Sequence, residues 1–225
     1  MARFNVLGWA FVLAAFSLSG SAFARPDARL TFAMKTDQAA ALYEVVSRGM
    51  RNIYVSGTIS NGDTQRFLRF VSLRKLEAAR VVLNSPGGSL LEGVKLGRAI
   101  RQLRFFTDVG DIADGYDKSN SICASACAYA FAGGVSRFLS DSSGKLGIHQ
   151  FRSVGAGLSE ADAQLVSGML VSYLHDMGVD TEAFAVASAT VSNFLVWTPP
   201  VSTHSAHVSA SRFACANTSW PASSP

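Results

Sequence analysis

Three short segments carry residue types that together suit acyl transfer. Ser125 stands in Cys-Ala-Ser-Ala-Cys, His149 in Gly-Ile-His-Gln, and Gly87-Gly88 in Asn-Ser-Pro-Gly-Gly-Ser. A hydroxyl nucleophile needs a base to take its proton and backbone N–H groups to hold the developing oxyanion. A small-residue turn presents the hydroxyl. An imidazole with an ordinary pKa of about 6.5 serves as base at neutral pH. A Gly-Gly turn reaches positive φ and lets backbone approach a ligand closely. Each residue also has a plainer role. Ser125 fits as a small residue in a packed helix, His149 as a hydrogen-bonded core histidine, and Gly87-Gly88 as a tight turn. The two glycine roles are compatible.

These segments need elements to hold them. A strand is predicted within residues 30–34, and residues 52–59 are rich in β-formers and end at Asn61-Gly62, a turn signal. Asp63 is the expected cap of a helix reaching about Leu76. Residues 79–83 are apolar apart from Arg80, the mark of a buried parallel strand. After the Pro-Gly-Gly turn, Leu90, Val94, Leu96, Gly97 and Ile100 recur at helical spacing over residues 89–103. Residues 105–109 read as the next strand and 111–121 as a polar loop. Residues 122–132 are almost wholly small or apolar, hence buried. Short strands are expected at 138–139 and 146–148. Ser159 and Asp162 open a helix to about Met177, which Gly178 stops. A second, shorter helix is expected over 181–189. Strands alternating with helices at this spacing imply one α/β domain.

The N-terminus reads as a targeting segment: Arg3, an apolar run over residues 6–18, then Ala22-Phe23-Ala24 as an A-x-A cleavage site. The run is short for a membrane span, which needs about 20 residues. Cleavage after Ala24 removes residues 1–24 of the 225 and leaves 201, enough for one domain with its own core. The expectation is a periplasmic or secreted protein with no stable span after cleavage. Net charge is +4. Arg48, Arg51, Arg66, Arg69, Arg74, Lys75 and Arg80 are dispersed among apolar residues, as on solvated helix faces, and no basic cluster with interleaved aromatics points to nucleic acid. Cys123, Cys127 and Cys215 are the cysteines. No second Cys or His cluster has ligand spacing, so neither metal nor cofactor is called for. In one regular helix, Cys123 and Cys127 would hold Cβ atoms about 5–6 Å apart, long for a disulfide. A non-helical turn at Ser125 closes that gap. A disulfide and a pair of small buried hydrophobes therefore both stand.

Residues 54–150 resemble the ClpP/crotonase superfamily, and more closely the exported ClpP-like proteins of bacteria. Leu83-Asn84-Ser85-Pro86-Gly87-Gly88 resembles the oxyanion-hole turn of ClpP-type peptidases. Ser121-Ile122-Cys123-Ala124-Ser125-Ala126 resembles their nucleophile segment, and Gly147-Ile148-His149-Gln150 their base segment. The resemblance implies a spiral of ββα units over residues 25–195, behind the signal peptide and before a Ser/Ala/Pro-rich tail at 196–225. It implies Ser125 as nucleophile, His149 as base, and the Gly88 and Ala126 N–H groups as the oxyanion hole. It also implies a peptide or protein substrate and a homo-oligomer.

The third catalytic member departs from the family pattern. An aspartate belongs about fifty residues after the histidine, and Ser192 and Asn193 occupy that region here. No Asp or Glu follows Glu182. Asp176 and Asp180 read as helix-end residues. A Ser-His dyad and a triad completed by Asn193 are both open. A Ser-Lys pair with Lys145 or Lys118 is the lesser variant, since both sit in polar turns. The tail reads either as divergence or as a reading-frame change near residue 190. Three functions follow: an exported serine hydrolase, a catalytically silent scaffold on the same fold, and, against the export signal, acyl-CoA chemistry of crotonase type.

Overall fold

A computed structural model describes residues 28–113, 120–139, 144–148, 159–181 and 195–197. The elements within them are β1 (Thr31–Ala33), α1 (Gln38–Val46), β2 (Arg51–Ser56), α2 (Asp63–Leu73), β3 (Ala79–Asn84), α3 (Leu90–Gln102), β4 (Phe106–Val109), β5 (Ile122–Ala124), α4 (Ala126–Ala132), β6 (Lys145–Ile148), α5 (Glu160–Asp176) and β7 (Leu195–Trp197). The architecture is α/β, as the alternation of strands and helices implies.

The strands form two sheets, ordered β1-β2-β3-β4 and β5-β6-β7. Within the first, β2 to β4 run parallel and β1 joins antiparallel at the edge. The parallel strand β3 is buried on both faces, with Val81 and Leu83 inaccessible on one and Val82 nearly so on the other, which is why it reads as a nearly unbroken apolar run. In the second sheet β5 and β6 are parallel and β7 is antiparallel to β6. β7 carries sheet structure to Trp197. The strand expected at 138–139 does not form; next to it, Arg137 lies beside β4 in an isolated parallel bridge to Thr107. One apolar cluster runs from Leu30 through Phe67, Leu83, Ile100 and Phe131 to Tyr173 and Met177.

Helix α4 and the strand before it explain the run of small residues at 122–132. Every residue of α4 is buried. It packs on α3 where side chains would not fit. A Cβ on Gly93 would strike the Ala126 carbonyl, and one on Gly133 the Gly97 carbonyl. Close backbone approach of this kind needs glycine on one side and alanine-sized residues on the other. Tyr173 of α5 fixes the other side of α4 by donating to the Tyr129 carbonyl at 2.7 Å.

Three local expectations are corrected. The N-cap of α2 is Gly62, at φ 88°, and Asp63 is the first helical residue. Its carboxylate turns back to accept from the Ser60 N–H at 2.8 Å and pairs with Arg66. Arg51 and Arg80 lie on strands, not helices: Arg51 pairs with Glu44 and Arg80 with Asp108. Finally, α1 was not foreseen. Asp37 caps it, accepting from the Ala40 N–H at 2.7 Å, but the helix buries none of its residues, so no apolar stripe marks it in sequence. The helix expected at 181–189 lies outside the described residues.

Glu92 of α3 is 3% exposed and accepts from the Thr64 N–H at 2.8 Å, supplying to α2 a cap that Gly62 cannot. Burial alone would raise its pKa. The hydrogen bonds from Thr64 and Gly62, with Lys95 nearby, outweigh burial and hold it below its ordinary value. Because the native pKa is depressed, this stabilisation is present above about pH 4.3 and is lost as pH falls through the native value. Glu92→Gln is expected to cost about 1–2 kcal/mol at pH 7. Urea denaturation should show that difference shrinking in acid; a constant difference would contradict the capping role.

Candidate active site

Ser125 sits between β5 and α4 with φ 56° and ψ −122°. An L-residue there bears strain of about 1–3 kcal/mol and stays only where its surroundings over-determine it. A strand-turn-helix at positive φ is also the shape that exposes a nucleophilic serine at the top of a sheet. Ser125 is partly exposed while its neighbours Ala124 and Ala126 are buried.

Several contacts hold the turn. The Ser125 N–H donates to the Gly147 carbonyl of β6 at 2.9 Å, and the Ser125 carbonyl accepts from the Ala128 N–H at 3.0 Å. On the other flank, the Ser85 N–H donates to Ile122 at 2.6 Å and Ala124 donates to Ser85 at 2.9 Å. This pair forms an isolated parallel bridge between Ser85 and Cys123 that joins the two sheets. Cys123 and Cys127 are disulfide-bonded, with Cα atoms 5.1 Å apart. The regular-helix spacing that argues against this bond does not apply, because Cys123 belongs to β5, only Cys127 to α4, and Ser125 reverses the chain between them.

The Pro-Gly-Gly turn lies directly against Ser125. Gly87 has φ 107°, and a Cβ there would come within 2.6 Å of the Ser125 Cβ and 3.0 Å of the Ala126 nitrogen. Gly88 has φ 133°, and a Cβ there would run into the Ile59 carbonyl. The neighbouring groups on that side are used: Ile59 N–H donates to Gly87 at 2.7 Å and Ser89 N–H to Ile59 at 2.8 Å. The Gly88 and Ala126 N–H groups donate to no described residue. Ser85, fully buried, accepts from the Gly87 N–H at 3.1 Å and braces the turn from within.

A polar knot beneath the turn was not apparent from sequence. Asp111 accepts from Ser56 at 2.6 Å and from Asn84 at 2.8 Å, while the Asn84 side-chain oxygen accepts from the Ile122 N–H at 3.1 Å. The ends of β2 and β3 are thus tied to the start of β5. Burial raises the Asp111 pKa, but hydrogen bonds from Ala113, Asn84, Ser56 and Ile112 outweigh it and leave it below the ordinary carboxylate value. The partners are 27 and 55 residues away, so no local signal marks them.

The structure therefore brings Ser125, Gly87, Gly88 and Ala126 together. His149, Ser192, Asn193 and Lys118 lie outside the described residues. Lys145 is corrected from a turn to the exposed first residue of β6. Asp176 closes α5 and is exposed, as a helix-end residue. A cavity of about 630 Å³, lined by Lys35, Asp37, Tyr43, Arg51 and Tyr54 among others, shares no residue with the Ser125 turn. No group of three or more His, Cys, Asp or Glu among the described residues could hold a metal ion, and no described helix is long and apolar enough to cross a membrane.

No protein-family model and no curated protein matches the chain. Among solved structures it is similar to a ClpP1 point mutant from Listeria monocytogenes, at 15% identity and TM-score 0.44, over 70% of this chain and 87% of that one. It is also similar to two point mutants of the 1510-N membrane-bound stomatin-specific protease. One aligns at 14% identity and TM-score 0.40 over 59% of this chain and 64% of that one. The other, in complex with a substrate peptide, aligns at 15% identity and TM-score 0.39, over 59% of this chain and 61% of that one. The chain thus spans less than two thirds of that protease. At these values the likeness assigns no activity.

Replacing Gly87 tests the contact on which the site is built. Gly87→Ala combines a positive φ with a collision at the Ser125 turn, and is expected to destabilise the protein by about 2 kcal/mol or more. Thermal melts of this variant should fall well below those of Gly49→Ala, whose added Cβ meets nothing within 4 Å at a positive φ of 86°. Equal melting temperatures would remove the argument from close approach.

Proposed function

We propose that the chain is an exported serine hydrolase of the ClpP/crotonase type acting on peptide or protein substrates. In this reading Ser125 is the nucleophile, and Gly88 and Ala126 supply the oxyanion-hole N–H groups. The observation that carries the reading is the strained Ser125 turn pressed against Gly87. A serine filling space in a helix would have no reason to hold φ 56°. The Oγ attacks the scissile carbonyl, His149 takes its proton, and the tetrahedral oxyanion is held by the two backbone N–H groups. The proton then passes from His149 to the leaving amine, and water repeats the sequence on the acyl-enzyme.

Strand register supports His149 in the role of base. Ala124 pairs with Gly147, so β6 runs beside the nucleophile segment and ends one residue before His149. Antiparallel β7 begins with Leu195 opposite Ile148. In sequence, Ser192 and Asn193 shortly precede Leu195, and His149 directly follows its partner Ile148. A neutral partner from that segment would orient the imidazole but stabilise its cation less than a carboxylate. Activity is accordingly expected to be weak, and Asn193→Asp or Ser192→Asp to raise it. The second reading, a catalytically silent scaffold, draws on the absence of any acid after Glu182.

A fluorophosphonate probe separates the two readings. The hydrolase reading expects labelling at Ser125, abolished in Ser125→Ala with the fold retained by circular dichroism. A folded chain that takes up no label would favour the scaffold. Export draws support from the A-x-A site and from the disulfide, which persists in oxidising compartments. N-terminal sequencing of the exported protein is expected to begin at Arg25. Retention of residues 1–24 would replace cleavage with an anchor.

A further inference from the structure

We propose that the Cys123–Cys127 disulfide is a positioning element for Ser125, so that oxidised and reduced chains share one fold and differ in the conformation of the nucleophile turn. The inference rests on the reading of Ser125 as nucleophile for its functional consequence, but its structural content stands separately. Ser125 lies midway in the bridged loop, at φ 56° and ψ −122°. Its neighbours Ala124 and Ala126 are strong helix formers. The strain therefore has two simple ways to relax: α4 can extend backward through Ser125, or β5 can extend forward.

The bridge closes both routes. A strand continued from Cys123 to Cys127 would separate their Cα atoms by about 13 Å, against the 5.1 Å observed. A helix continued through the same residues would leave the Cβ atoms about 5–6 Å apart, beyond the roughly 3.5–4.5 Å that a disulfide takes. Hydrogen bonds act beside the bridge: the Ser125 N–H to Gly147 and Ala124 N–H to Ser85 bonds, both 2.9 Å, oppose the helical route.

The fold has little need of this cross-link. It closes a loop of separation four, the short end of the range over which chain entropy favours a disulfide. The two cysteines belong to an apolar core that runs from Leu30 to Met177 and holds about thirty other side chains, groups that need no cross-link to pack. Both cysteines are fully buried, so the bridge reaches no partner and does not exchange at the surface. What it acts on is the one strained residue it encloses.

The experiment uses the mature chain in oxidised and reduced form. Tris(2-carboxyethyl)phosphine and one water convert the disulfide to two thiols, the phosphine becoming its oxide; alkylation counts the thiols. Cys123→Ala/Cys127→Ala supplies the open state if the buried bridge resists reduction. Three readouts are taken: fluorophosphonate labelling rate, the backbone ¹³C shifts of Ser125 and Ala126, and circular dichroism. Opening the bridge is expected to slow labelling at least tenfold and to move the Ser125 and Ala126 signals toward negative φ. Those of β3 and the dichroism spectrum should stay unchanged, and reoxidation of the wild type should restore the label. Unchanged labelling and unchanged Ser125 shifts in the open, folded chain would overturn the proposal. Global unfolding on opening would also overturn it, since the disulfide would then staple the whole domain. If the oxidised chain takes no label, the hydrolase reading fails, and the ¹³C shifts alone decide whether the bridge holds the turn.

Discussion

The contact between the Gly87 backbone and the Ser125 turn is the constraint on which the rest of this structure depends. Two sheets meet there. β3 brings the glycine turn from one, β5 brings the serine from the other, and the Ser85–Cys123 bridge fastens them. A side chain at Gly87 would occupy the space of the Ser125 Cβ. The two segments therefore close on one another only because one of them is glycine. Most features nearby follow from keeping that approach: the alanine-rich α4, the glycines of α3 beneath it, and the buried Ser85 hydroxyl bracing the turn.

Strain at Ser125 is held by several weak constraints acting together. A hydrogen bond to Gly147, the paired bonds to Ser85 and the Cys123–Cys127 bridge each remove one direction in which the turn could relax. Asp111 works one layer deeper. By joining Ser56, Asn84 and, through Asn84, Ile122, it sets the depth at which β5 meets β3. Its ionised form is favoured because hydrogen bonds outweigh the cost of burying the charge. The position of β5 is thus tied to β2 and β3 through buried and half-buried polar groups.

Much of this fold is legible in sequence because its core elements carry strong period signals. β3 reads as a strand because both its faces are buried. α3 is bounded closely by its apolar spacing. Ser159 and Gly178 mark the ends of α5 by the capping chemistry that each supplies. Where the signal failed, the element was weakly coupled to the core or governed from afar. α1 buries nothing and so has no stripe to read. The start of α2 belongs to Gly62 because Glu92, 28 residues beyond the Thr64 N–H that it accepts from, supplies the cap that the helix's own residues were expected to provide.

What the sequence determined by itself is chemical and local. Residue types at Gly87-Gly88, Ser125 and His149 raise the expectation of acyl transfer, and the alternation of apolar strands with amphipathic helices dictates an α/β class. Tertiary structure decided what depends on distance across the chain. It decided that Ser85 pairs with Cys123, that Asp111 reaches Ser56 and Asn84, and that β7 returns beside β6. It also decided between two readings of the cysteines that sequence left open. Four residues in one helix hold sulfurs apart, whereas a strand, a reversed turn and a helix bring them together. Local periodicity cannot announce that reversal, because a positive φ at serine is disfavoured locally and exists only through the contacts that enforce it.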